Sequence, residues 1–312
     1  MKSFSYTKST TLIQSLTTID ALRRDILLFP LSPRTEITLQ FESKIRRIQS
    51  LLELNGEQVT PATVQNALSP LGKHIKSSSD GTIDLAKRAF DHLYYNWLVN
   101  EKNLEVSDIQ ELYFKLFQNV LSCDTEQLRT SLDYVQINPE HPVIQASLIH
   151  ILTAELFVHV PGSALFTPIL GSLALYKFGY DFRRFTGLEN CFATHLSEYQ
   201  TNLSLAQKEQ NLTYWLEFTS RILIEELQKT IEIMKKSKNT THETDTSESP
   251  ITERQQSIIE LFNRPGIRIN NRQIQRLFKV SQITASRDLS HLAEMGIIFP
   301  VGKGRSTSYV KV

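Results

Sequence analysis

Acid–base or metal chemistry in this chain would have to come from the few histidines and carboxylates of its most apolar stretch. His150 and Glu155 stand five residues apart, a spacing that does not bring two side chains onto one helical face around a metal ion. His159 lies in the segment Phe157-Val158-His159-Val160-Pro161-Gly162-Ser163-Ala164-Leu165-Phe166-Thr167-Pro168, where no acid, asparagine or arginine follows it. All three read better as structural residues than as a catalytic or metal-binding set. Two cysteines, Cys123 and Cys191, make neither a disulfide framework nor a cysteine-rich zinc site, and they suit a reducing cytoplasm. At the other end of the chain the chemistry differs in kind. Gln282, Thr284, Ser286, Arg287, Lys303 and Arg305 offer amide, hydroxyl and cationic groups suited to base edges and phosphates.

Charge follows the same division. From Thr252 onward ten Lys/Arg face four Asp/Glu, whereas the preceding residues carry 24 basic against 29 acidic side chains. A basic tail on an acidic body is the electrostatic footprint of nucleic-acid binding. With 312 residues, the chain has room for two or three domains and a substantial core. The start, Met1-Lys2-Ser3-Phe4-Ser5-Tyr6, has no apolar signal core. The apolar run Ile151–Tyr176 is broken by Glu155, His159, Pro161, Gly162 and Pro168, so it reads as two buried helices rather than a membrane span.

The elements that must position these residues are mostly helical. Apolar residues recur at helical spacing in Phe41–Leu54 (Ile45, Ile48, Leu51, Leu52), in Ala86–Leu98 (Phe90, Leu93, Tyr94, Trp97) and in Val106–Leu121. No extended alternating pattern precedes residue 295. Thr167-Pro168 looks like an N-cap with a first-turn proline, which predicts a helix starting there. Residues 235–250 hold no apolar side chain but Pro250 and predict a flexible linker.

Three landmarks surround the 157–168 segment. They are His141-Pro142-Val143-Ile144-Gln145-Ala146-Ser147-Leu148-Ile149-His150, then Leu173-Ala174-Leu175-Tyr176-Lys177-Phe178-Gly179-Tyr180-Asp181-Phe182, and Leu212-Thr213-Tyr214-Trp215-Leu216-Glu217. Together they resemble the framework of Fic (Fido-fold) proteins over roughly residues 15–230. Active members of that family move the AMP of ATP onto a protein hydroxyl through the motif His-Pro-Phe-x-Asp-Gly-Asn-Gly-Arg-x-x-Arg. The resemblance places Phe157 at the general-base histidine and Pro161 at the metal-binding acid. Gly162-Ser163-Ala164 stand at Gly-Asn-Gly, and Leu165 and Pro168 at the two arginines. A phenyl ring takes no proton, a proline offers Mg²⁺ no carboxylate, and neither Leu165 nor Pro168 can grip a phosphate. The family's inhibitory helix, Ser/Thr-x-x-x-Glu-Gly/Asn, would fall at Ser50–Thr60. Its glutamate position is Leu54 or Asn55 according to register, and the segment also reads as a plain amphipathic helix ending at Asn55-Gly56.

The tail has its own grammar. An amphipathic helix spans Thr252–Asn263, Asn270-Asn271 cap a second helix, and Lys279-Val280 turn into a third that Ser281 caps and Gly296 ends. Ile297-Ile298-Phe299, Gly302-Lys303-Gly304-Arg305 and Ser308–Val312 read as strand, turn and strand. This order resembles a winged helix-turn-helix, with Val280–Leu289 at the recognition helix and the glycine-basic turn at the wing. Such modules also serve as protein-interaction surfaces, but the basic excess favours DNA.

The expected protein is mainly α: a Fic-like helical bundle with a C-terminal winged helix-turn-helix and a small β-wing. Residues 1–105 form the N-terminal helical region of the body and 106–234 its core with the degenerate loop. Residues 235–250 form the linker and 251–312 the DNA-binding domain. The expected function is a cytoplasmic DNA-binding transcriptional regulator whose body is a pseudoenzyme used for sensing, dimerisation or partner binding. Neither metal nor cofactor is expected. The expected partners are double-stranded DNA, with a second copy of the chain or another protein at the body, and no membrane. A divergent protein adenylyltransferase and a protein-interaction adaptor stand as the alternatives.

Overall fold

The computed structural model describes residues 5–68, 80–94, 103–137, 140–209, 211–244, 251–262, 267–294, 297–301 and 307–310. The body is helical among these residues. Its elements are α1 (Thr10–Leu28), α2 (Pro33–Leu54), α3 (Pro61–Leu68), α4 (Asp80–His92), α5 (Val106–Phe117) and α6 (Thr125–Ile137). They continue with α7 (Pro142–Leu156), α8 (Ser163–Lys177), α9 (Leu188–Thr194), α10 (Leu196–Lys208) and α11 (Thr213–Thr244).

Local chemistry sets several of these boundaries. Ser9 and Ser32 cap α1 and α2 by accepting from the amides of Leu12 and Thr35, and Pro33 takes the first position of α2. His141 caps α7: its Nδ1 accepts from Val143 N at 3.3 Å, so the ring proton sits on Nε2, which faces Asp20 and the Tyr180 hydroxyl. Asn55 and the left-handed Gly56 end α2 where the sequence predicts.

The centre of the body is a hairpin of α7 and α8. Val143–Thr153 and Leu165–Tyr176 are buried without interruption, as expected of helices apolar on every side. Around them α11 packs along α1, and α2 packs on α9. Buried side chains from Leu12 to Met234 form one cluster, so the two sequence segments of the body share a single core. No helix among the described residues is long and apolar enough to cross a membrane.

Three expectations change. α8 begins at Ser163 rather than at Pro168, which lies inside the helix. Gly162, at φ 75°, turns the chain into the helix five residues early, and the carbonyl that Pro168 leaves without its amide belongs to exposed Ala164, where water can reach it. α11 runs on to Thr244, well into the stretch 235–250 expected as linker; extending an established helix through Lys and Ser is far easier than nucleating one. Only 245–250 of that stretch lie outside the described residues. Finally, a two-residue strand, Ile269–Asn270, precedes residue 295 and is too short to leave an alternating pattern.

The C-terminal unit has its own core. It comprises α12 (Glu253–Glu260), β1 (Ile269–Asn270), α13 (Asn271–Phe278), α14 (Gln282–Glu294), β2 (Phe299–Val301) and β3 (Ser308–Val310). The strands form an antiparallel sheet in the order β1-β3-β2, with Ile269 opposite Tyr309 and Pro300 also opposite Tyr309. Ile258, Phe262, Ile269, Ile274, Ala285, Leu289, Leu292 and Ile298 meet beneath it. Reciprocal capping boxes, Thr252 with Gln255 and Asn270 with Gln273, start α12 and α13.

Candidate functional site

The α7–α8 connection is packed with aromatic rings. Phe157 is fully buried and stacks on Phe166 at 5.8 Å between centroids, and Phe166 meets Tyr113 and Phe117 edge-on at 5.2 and 6.0 Å. Leu165 and Pro168 are also buried, whereas Pro161 and Ala164 are exposed and Ser163 is half-buried. Of the apolar residues that stand at the motif positions, Phe157, Leu165 and Pro168 are thus buried and Pro161 is not. The Tyr113 hydroxyl donates to the Pro161 carbonyl at 2.9 Å and ties the turn to α5. A Cβ on Gly162 would approach Phe117 Cζ to 2.6 Å, so the turn needs glycine for space as well as for its φ.

Three amides at the start of α8 are engaged within the turn. Ser163 N donates to Val160 O at 3.1 Å, and Leu165 N and Phe166 N donate to Gly162 O at 3.1 and 2.9 Å. A helix N-terminus attracts anions through amides left unpaired. His159 is exposed in this turn, and Glu155 is half-buried one turn before it. A cleft of about 530 Å³ between α5 and α6, lined by Asn103, Glu105, Arg129, Asp133 and Gln136, includes none of residues 157–168.

His150 is wholly buried on α7. It stacks on Trp215 at 5.7 Å, and its Nε2 lies 3.0 Å from the Tyr199 hydroxyl. Burial lowers its pKa from near 6.5 to about 3, against an opposing hydrogen bond at the Thr167 backbone. It is therefore neutral and structural at pH 7. Between about pH 3 and 6.5 the unfolded chain binds the proton that the folded one refuses. The stability this group contributes above pH 6.5 is lost as pH falls through that window, by roughly 1.4 kcal/mol per unit. Urea unfolding at about pH 6.5 and 4.5 should differ by about 2 kcal/mol through this residue, and His150→Gln should flatten that difference.

A buried polar cluster that sequence reading missed lies at the far end of α8. Arg47 of α2, wholly buried, pairs with Glu189 of α9 and donates to the hydroxyls of Tyr94 and Tyr176, while the Phe90 ring lies 4.4 Å from its guanidinium carbon. Ser172 donates to the second Glu189 oxygen and accepts from Leu188 N at 3.2 Å. Burial acts to lower the Arg47 pKa, but Glu189 and the two phenols outweigh it and hold the guanidinium charged. A Cβ on Gly187 would lie 2.6 Å from Arg47 Nη2, so the α9 turn closes against the guanidinium. Arg47 and Glu189 are 142 residues apart in sequence, beyond the reach of any local pattern.

On the C-terminal unit, Gln282, Ser286 and Arg287 emerge on one exposed face of α14, together with Ile283 and Ser290. Thr284 does not join them: it is half-buried and its hydroxyl lies 2.9 Å from Ser281 Oγ within the helix cap. Lys303 and Arg305 lie outside the described residues. Asp288, buried on the opposite face, takes two hydrogen bonds from Arg254 (2.6 and 3.2 Å) and one from Gln255 (3.0 Å), which fixes the roll of α14 against α12. Asn271 Nδ2 donates to Gln282 O at 3.3 Å and joins the starts of α13 and α14. Three further cations, Arg272, Arg276 and Lys279, are not among the sequence-predicted site residues. All three are exposed on α13 and the turn that follows it, with no acidic partner within ion-pair distance among the described residues. Their basic character at helical spacing was a usable signal.

No protein-family model and no curated protein matches the sequence. Solved structures do match. A Fic family protein from Desulfovibrio desulfuricans G20 aligns over 99% of this chain and 98% of its own, with a TM-score of 0.60 at 15% identity. A fragment of Fic-1 from C. elegans covers 72% of this chain and 73% of its own, with a TM-score of 0.58 at 17% identity. A single-substitution variant of that fragment aligns with a TM-score of 0.56 at 14% identity, over 70% of this chain and 72% of its own. The chain has the fold of Fic family proteins.

Proposed function

We propose that this chain is a DNA-binding transcriptional regulator built on a Fic-like body that does not transfer AMP. Residues 251–312 act as a winged helix-turn-helix with α14 as its recognition helix. The observation that carries this reading is the outward face of α14. Gln282, Ser286 and Arg287 are exposed in one row, and Arg272, Arg276 and Lys279 stand exposed on the preceding helix and turn. Polar groups on a helix read base edges while flanking cations hold phosphates. A single module of this kind has limited affinity, so the body supplies a second half-site by dimerisation, or senses a signal or partner. Binding of the full chain to duplex DNA, measured against salt, tests the proposal.

The same reading makes the 157–168 turn inert toward nucleotides. Phe157, packed in an aromatic cluster, and apolar Leu165 and Pro168 support it, as do the engaged amides of Ser163 and Leu165. Calorimetry with Mg²⁺ and ATP should show no saturable binding at micromolar nucleotide. Restoring one group of five should not help: Phe157→His should give no AMP transfer to itself or to added protein. It should also lower stability by roughly 2–4 kcal/mol, because the imidazole would enter an apolar site. Transfer of labelled AMP above background by either protein would overturn this part of the proposal.

A further inference from the structure

Ile283 is the large apolar residue on the exposed face of α14. Its relative exposure is 66%, although it is a large β-branched residue in the first turn of α14, and it belongs to neither hydrophobic core. At 3.6 residues per turn the exposed residues of α14 run across one face in the order Gln282, Ser286, Ser290, Ile283, Arg287. Ile283 therefore stands inside the polar row, between a hydroxyl and a guanidinium. The opposite face, with Ala285, Asp288, Leu289 and Leu292, is buried, so no small rotation of the helix can hide it. The Asp288 bonds to Arg254 and Gln255 hold that orientation.

An apolar side chain on a face that meets DNA is matched by an apolar partner in an otherwise polar groove. Among the base edges of the major groove, only thymine presents one, its 5-methyl group. Charge points to the same occupant: Arg287 follows Ile283 one turn later on α14, and Arg272, Arg276 and Lys279 are exposed on α13 and the turn after it, a set that suits a polyanion. We propose that Ile283 reads a thymine methyl in the major groove, so that the operator contains a thymine that cannot be replaced by uracil without loss. This rests on the DNA-binding reading above and adds a base identity to it.

The test uses the full-length chain. A bound site is first selected from a random duplex pool. Each thymine in it is then replaced singly by deoxyuridine, which keeps every hydrogen-bonding group and removes only the methyl. One position per half-site should weaken binding about fourfold, the worth of one methyl-sized group taken out of water. Ile283→Ala leaves a residue with good helix propensity at an exposed position, so the fold is retained, and this variant should bind the thymine and uracil duplexes equally. Selection of a site in which no thymine-to-uracil change matters overturns the proposal while leaving DNA binding intact. So does an Ile283→Ala protein that still discriminates. Recovery of no duplex at all overturns the DNA-binding reading and this inference with it.

Discussion

Arg47→Met should destabilise the body by roughly 3–5 kcal/mol, the largest effect expected of a single substitution in this protein. Methionine nearly matches the arginine stem in volume, so packing changes little. The damage is electrostatic: the Glu189 carboxylate stays buried with only the Ser172 hydroxyl and no counter-charge. Urea unfolding followed by circular dichroism measures the loss as a shift in midpoint at constant slope. Removing both charges should hurt less. Arg47→Met combined with Glu189→Gln should recover much of the stability, because replacing a buried ion pair with neutral groups is often tolerated where breaking it is not. A loss below about 1 kcal/mol for the single variant would mean that water or a rearranged partner compensates Glu189 and that the buried pair contributes little to stability.

The second large effect concerns DNA. Replacing Arg272, Arg276 and Arg287 together by alanine should make the salt dependence of binding shallower by about 3 in the logarithmic slope, one for each phosphate contact removed. Folding should be untouched, since all three side chains are exposed and such substitutions change stability by within about 0.5 kcal/mol. Arg254→Ala is the informative control. That arginine is equally basic in sequence, but it is spent on Asp288 inside the unit, so its loss should lower stability without lowering the salt slope.

Much of the fold was legible because its determinants are local. Serines and asparagines before apolar periodic runs marked helix starts at Asn270 and Ser281, and Asn55-Gly56 marked the end of α2. Three boundaries resisted for physical reasons. Pro168 mimics a first-turn proline but is the sixth residue of α8, because a left-handed Gly162 starts the helix sooner. The polar run after residue 234 looks unable to order, yet α11 reaches Thr244 by growing from a packed helix. β1 consists of only Ile269 and Asn270 and exists through its pairing with Tyr309 and Ser308.

The candidate interface was legible in part. Gln282 and Ser286, four residues apart, share one side of α14, and Arg287 is exposed about 140° round the helix from Gln282. Thr284 was drawn in by its type, but its position within the cap turns it away. Arg254 and Arg287 could not be told apart from sequence alone, because only the fold decides that one of them meets Asp288. Ile283 carries no sequence signal of exposure, because an apolar residue in a helix is ordinarily a core residue.

The most direct measurement is fluorescence anisotropy of a labelled duplex with the full-length chain between about 50 and 200 mM salt. Four exposed cations on α13, its turn and α14 predict a logarithmic affinity that falls linearly with logarithmic salt, with a slope of about −3.6 or steeper. Saturable binding that weakens along such a line is the expected result. No binding to any duplex at about 50 mM salt, or binding indifferent to salt, would contradict the assignment of residues 251–312 to DNA.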